Sequence, residues 1–99
     1  MYASDYGFAA APSAWTTNLY DYDGAAIKSV NWMYMGLYEW TISRYADTSS
    51  RAFNVNNTGR VYGHNVGNYA YGVRPVFNLS SSVNYASGSG TAADPILVN

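Results

Sequence analysis

The chain has 99 residues, no cysteine and a formal net charge of −1, so it forms one small domain with neither a disulfide framework nor a thiolate metal site. Aromatic residues make up 17% of it, with 11 Tyr, and charged residues only 11%, against about 25% charged in an average domain. Its five basic residues, Lys28, Arg44, Arg51, Arg60 and Arg74, are scattered, and without a basic stripe to neutralise several phosphates no nucleic-acid partner is expected.

No apolar run approaches the roughly 18 residues needed to span a bilayer, and no basic n-region follows Met1. An exported chain of this kind would carry its export signal upstream, as a piece of a larger protein. Asn, Ser, Thr, Gly and Tyr supply the polar surface that Lys and Glu supply elsewhere. That balance points to a secreted or cell-surface β-rich domain.

In chain order, residues 1–3 and 8–10 read as weak strands broken by a turn at Ser4-Asp5. Trp15, Leu19 and Tyr22 stand at helical spacing, with Ser13 as a possible N-cap and Gly24 as a stop. A short helix over 14–24 or an irregular aromatic loop fits equally, and 25–30 continues in helical turns. Residues 31–36 (NWMYMG) read as a buried turn or 3-10 segment. Over 37–44 Trp40 and Ile42 alternate with Thr41 and Ser43, the period of a half-buried strand. Residues 51–55 alternate again, with Phe53 and Val55 on one face. Asn56-Asn57-Thr58-Gly59 then makes a tight connection to a partner strand over 60–66. Residues 69–79 read as a longer strand with Val73, Phe77 and Leu79 inward, placed at an edge or bulged because Pro75 lacks a ladder donor. A Gly/Ser-rich bend at 87–90 and the apolar run Ile96-Leu97-Val98 close the chain.

The pieces SDYGFA, NWMY with YEWTIS, RAFNV with TGRVY, YGVRPVFNL and GSGTAADPILV resemble, in this order, a module at the C-terminal ends of secreted and prepilin-like surface proteins of Firmicutes. The resemblance covers nearly the whole chain, and GVRPV-x-NL with the trailing G-x-GT and DP-I element is its most specific part. More distantly the chain is similar to C-type-lectin-like modules of the formylglycine-generating-enzyme type, some of which are receptor-binding variable proteins. The enzymes of that group need cysteine for copper-dependent oxidase chemistry, and this chain has none. The cysteine pair that often flanks the second quarter of the surface module has no counterpart either. The resemblance implies an extracellular display or binding domain without a catalytic site.

Candidate sites read as follows. Asp21-Tyr22-Asp23-Gly24 has the opening of a calcium loop, but position twelve, where a bidentate Glu belongs, is Trp32. His64 is the only histidine and has no second His or Cys to complete a zinc site; an exposed or edge position is expected for it, without a function. A triad with Ser4 and Asp5, or a glycosidase pair from Asp5 and Glu39, has no spacing to support it. Asp5 and Glu39 are instead expected to pair with arginines, with a buried Asp5–Arg74 contact explaining the charge between Val73 and Pro75. Trp32, Trp40, Ile42, Phe53, Val55, Val73 and Phe77 form the expected core. Tyr45, Asn54, Asn56, Tyr62, His64, Asn65, Tyr69 and Tyr71, with Asn57 and Asn68, concentrate the composition of adaptable binding surfaces.

The expected fold is α+β: a small, twisted, mostly antiparallel sheet with one or two short helices, C-type-lectin-like. The expected function is non-enzymatic recognition of a protein or glycan on a cell surface, without cofactor or metal. A pilin-like or fibre subunit that self-assembles is the alternative, and a small hydrolase the second alternative.

Overall fold

The computed structural model of the chain describes residues 1–75, 77–91 and 93–99. Val76, in the expected strand over 69–79, and Ala92, in the closing segment, lie outside the described residues. Helices α1 (Ala3–Phe8) and α2 (Gly24–Val30) precede strands β1 (Glu39–Arg44), β2 (Arg51–Val55), β3 (Val61–Asn65) and β4 (Gly72–Val73). These strands form one sheet in the order β3-β2-β1-β4, antiparallel except for the parallel pair β1–β4. Strands β5 (Tyr85–Ser87) and β6 (Leu97–Val98) form a separate antiparallel ladder. The chain is thus a small α+β protein with a mostly antiparallel sheet and two short helices.

The first third departs most from expectation. Instead of strands at 1–3 and 8–10, α1 forms. Asp5 starts it, since its Oδ2 accepts the Tyr2 N–H at 2.7 Å and a carboxylate in the first turn suits the positive end of a helix. Of the two expectations for 14–24, the irregular aromatic loop is nearer than the helix: two 3-10 turns, Pro12–Ala14 and Leu19–Asp21, occupy this region. Trp15 Nε1 donates to the Ala10 carbonyl at 2.9 Å, which ties the indole to the preceding loop. Gly24 opens α2 where it was expected to stop a helix, because Asp23 is the N-cap and its Oδ1 accepts the Ala25 N–H at 3.0 Å. Asn31 then locks the next turn to α1: its Nδ2 donates to the Tyr6 carbonyl (2.8 Å) and its Oδ1 accepts the Met33 N–H (2.9 Å).

The core sits between α1, α2 and the inner face of the sheet. Met1, Tyr6, Ala9, Ala10, Tyr22, Ile27 and Met33 pack with Val55 and Val61 of the hairpin. Of the expected core residues, Val55 is buried, Phe53 and Trp40 are half-buried, and Ile42, Val73 and Leu79 are exposed. Trp32 is 81% exposed and Phe77 75%. The strand over 37–44 exists, but with its faces exchanged. Glu39 and Thr41 point inward and are buried, so the alternating Trp40 and Ile42 point outward. The Thr41 hydroxyl is satisfied by the Phe53 carbonyl at 2.8 Å. Among the described residues of the expected strand over 69–79, only Gly72 and Val73 join the ladder, at its edge.

The β2–β3 hairpin matches its expected position and runs in register from Arg51↔Asn65 to Val55↔Val61. Asn56 Oδ1 organises the turn by accepting from Thr58 N, Thr58 Oγ1 and Arg60 N at 2.8–2.9 Å. Gly59 supplies the left-handed position at φ +87°, and a methyl group there would overlap Ile27. The β5–β6 ladder packs mainly on itself. The radius of gyration is accordingly 15.2 Å, against about 13 Å for a compact chain of this length.

One ion pair occurs among the described residues, and it joins Arg74 to Glu39, not to Asp5. Arg74 Nη2 lies 2.6 Å from each Glu39 carboxylate oxygen, Nε lies 3.2 Å from Oε2, and Nη2 also donates to the Met33 carbonyl at 2.8 Å. Arg74→Ala would leave the buried Glu39 carboxylate uncompensated, at a cost of about 3 kcal/mol. The expected result is a clearly lowered urea midpoint and a melting temperature lower by on the order of 10 °C. An unchanged midpoint would show that the pair contributes nothing.

Tyr6 is fully buried and its hydroxyl has no hydrogen-bond partner among the described residues. Burial, followed by the nearby Tyr34, Tyr22 and Glu39, pushes its pKa far above the ordinary value. Unfolded Tyr6 ionises near pH ~10 while the folded residue stays neutral. Its contribution to stability is therefore complete below that pH and is lost as pH rises beyond it. Tyr6→Phe is expected to keep neutral-pH stability within about 1 kcal/mol or raise it, and to move alkaline unfolding to higher pH. A shift to lower pH in a circular-dichroism titration would contradict this.

Candidate recognition surface

The register of the sheet builds the outer face. Trp40 is opposite Asn54 and Asn54 opposite Tyr62, while Ala52 is opposite His64. These residues alternate with the buried Glu39, Val55 and Val61, so they share the face turned away from the core. The parallel pairing of β4 with β1 then brings the preceding Tyr69 and Tyr71 over the same face.

The result is a continuous run of seven rings drawn from four segments. Tyr20 lies 5.5 Å from Tyr62, Tyr62 lies 5.0 Å from His64, and His64 stacks on Tyr69 at 4.6 Å. Tyr69 lies 5.4 Å from Tyr71, which in turn packs on Trp40 and on Tyr38, each at 4.8 Å. These spacings are those of favourable offset and tilted aromatic pairs. The Tyr71 hydroxyl and His64 Nδ1 are 2.9 Å apart, while Nε2 makes no hydrogen bond among the described residues. Burial and the neighbouring Tyr38 and Tyr69 push the Tyr71 pKa up, which keeps this hydroxyl neutral. His64, expected as an exposed or edge residue without a function, does lie on edge strand β3, but half-buried in the middle of the ring run.

The remaining candidates divide. Tyr45 lies apart from the ring run: it packs on Phe53 at 4.8 Å and sits flat against Gly63, where a methyl group would overlap it. The Arg51 guanidinium lies 5.8 Å over the Tyr45 ring. Beside this stack, at the end of the hairpin away from its turn, is a concavity of about 390 Å³ lined by Thr48, Ser50, Arg51, His64, Asn65, Asn68 and Tyr69 among others. Asn56 and Asn65 spend their side-chain oxygens on local turns, and Asn57 gives its carbonyl to the Tyr34 hydroxyl at 2.8 Å. Asn54 is fully buried, between Trp40 and Tyr62 in the strand register. Neither its amide nitrogen nor its oxygen has a partner among the described residues.

Asp5 caps α1 and Glu39 holds Arg74, so both carboxylates weighed as an acid/base pair already have partners. Asp21 accepts from Asn18 Nδ2 and Asp23 caps α2. Among the described residues no three His, Cys, Asp or Glu side chains converge as a metal site.

Tyr20, Tyr38, Trp40 and Arg51 were not anticipated as part of this surface. Apolar alternation places Trp40 in the core, whereas the buried Glu39 and Thr41 put it on the opposite face. Tyr20 joins from a distant 3-10 turn, for which no local signal exists. No protein-family model matches the chain, and no curated protein or solved structure matches it either.

An unpartnered buried amide costs about 1–3 kcal/mol. Asn54→Leu, similar in volume, is expected to raise stability by about 1 kcal/mol, read as a higher urea midpoint. A fall in that midpoint would show that the Asn54 amide is satisfied in solution.

Proposed function

We propose that the chain is a non-enzymatic, extracellular, C-type-lectin-like recognition module that binds a glycan through the aromatic run on the outer face of its sheet. The observation that carries this reading is the run itself: seven contiguous stacked or tilted rings on one face, partly or fully exposed, while most of the core is built elsewhere. Sugars present apolar ring faces rimmed by hydroxyls. Tyr, Trp and His match both features, offering flat apolar area and polar tips at low entropic cost. No charged carboxylate belongs to the run, and its one imidazole is engaged with the Tyr71 hydroxyl. The extracellular setting and the C-type-lectin-like assignment are supported by composition and by the sequence resemblance.

Stacking one sugar face on a ring buries apolar area equivalent to about 1–2 kcal/mol. Trp40→Ala and Tyr69→Ala are therefore each expected to weaken binding to a glycan found by array screening about tenfold, measured by calorimetry. Full affinity in both variants would remove the aromatic run from the binding site.

A second reading, a self-assembling pilin-like or fibre subunit, is favoured by the exposed Tyr85, Ile96, Leu97 and Val98 on a ladder with two open edges. Light scattering tests it: mass that rises with concentration, and no longer does so in Leu97→Lys, supports assembly, while a constant monomer mass excludes it.

A further inference from the structure

The concavity beside Tyr69 differs from the aromatic run in one respect: it contains a fixed positive charge. Arg51 lines it, no carboxylate does, and Arg51 has no acidic partner among the described residues. The guanidinium is also held in place. Gly63 has no side chain, so Tyr45 lies flat on the strand, packed on Phe53, and its ring carries Arg51 at 5.8 Å. A cation over an aromatic face loses less freedom when it captures an anion than one free in solvent. The remaining lining is neutral and rich in hydrogen-bonding groups. The Thr48 and Ser50 hydroxyls lie 3.0 Å apart, Asn68 adds an amide, and His64 leaves Nε2 uncommitted.

We propose that the ligand is an anionic saccharide, its acidic group on the Arg51 guanidinium within the concavity and its sugar ring stacked on Tyr69. This rests on the glycan reading above and narrows it to one ligand class. A guanidinium presents a planar fork that pairs with carboxylate or sulfate through two parallel N–H donors. The neutral hydroxyls and amides around it suit the remaining sugar hydroxyls. With a net charge of −1 the protein as a whole does not attract anions, so the preference for acid is a property of this one site.

The test compares calorimetric binding of lactose, sialyllactose and sulfated lactose to the wild-type chain, Arg51→Gln, Arg51→Lys and Gly63→Ala, with folding checked by circular dichroism. Arg51 is exposed, so its replacement leaves the core intact. At least one acidic sugar is expected to bind about tenfold more tightly than lactose, and the tighter of the two identifies the acid. Arg51→Gln should reduce that ligand to the lactose level and Arg51→Lys restore it only in part. Gly63→Ala, which moves the Tyr45 support, should weaken the acidic sugar more than lactose. Equal binding of all three sugars, or an acid preference that survives Arg51→Gln, overturns the inference while leaving the glycan reading intact. Binding of an acidic peptide such as polyglutamate with no binding of any sugar overturns both.

Discussion

The outer surface of this protein depends on the contact between Arg74 and Glu39. Strand β4 contributes only Gly72 and Val73 to the sheet, too few ladder bonds to hold the segment around it. Arg74 supplies the rest, bridging Glu39 of β1 and the Met33 carbonyl at once. Three parts of the chain, 31–36, 37–44 and 69–75, are thereby fixed together. Tyr69 and Tyr71 lie just before β4, so the same contact seats them over His64 and Trp40. An ion pair of this kind is weak evidence for net stability, yet losing Arg74 would leave the buried Glu39 carboxylate unpaired and would be expensive.

That contact also explains why β1 reads backwards. An alternating strand with Trp40 and Ile42 on one face and Glu39, Thr41 and Ser43 on the other ordinarily buries its apolar face. Here the acidic residue is buried and held by the half-buried Arg74, and period-2 geometry turns Trp40 to the opposite face. The inner face then needs another source of apolar volume. The N-terminal third supplies it through Tyr6, Tyr22, Ile27 and Met33.

The parts of the fold legible in the residues are those settled by local chemistry. The β2–β3 hairpin follows from alternation on both sides of an Asn-Asn-Thr-Gly turn, and the edge position of the 69–79 segment follows from Pro75. The helical turns after Gly24 were legible for the same reason, whereas the turn over 31–36 buries only Asn31 and Met33 and leaves Trp32 and Met35 exposed. What was not legible depends on tertiary partners. Asp5 is the exception, since it caps α1 through a local bond from the Tyr2 N–H three residues before it. The arginine expected for Asp5 belongs to Glu39, 35 residues away along the chain from Arg74. Of the surface itself, Tyr62, His64, Tyr69 and Tyr71 share a hairpin neighbourhood that composition reveals. Tyr38 and Trp40 come from β1 and the residue before it, and Tyr20 from a distant 3-10 turn, and no spacing rule links these two segments to each other or to the hairpin.

Asn54 sits at the centre of this outer face. Its neighbours across the strands are Trp40 and Tyr62, large rings that remain partly open to solvent while the amide between them is fully enclosed. Large rings are ordinarily more buried and an amide more exposed than this. All three residues share the outer face, and the core is built from other residues. The rings stand outward because they are supported there, by the Arg74 contact through Tyr71 and by the 3-10 turn through Tyr20. The ring surface, assembled from four segments, thus encloses an amide that has no hydrogen-bond partner among the described residues.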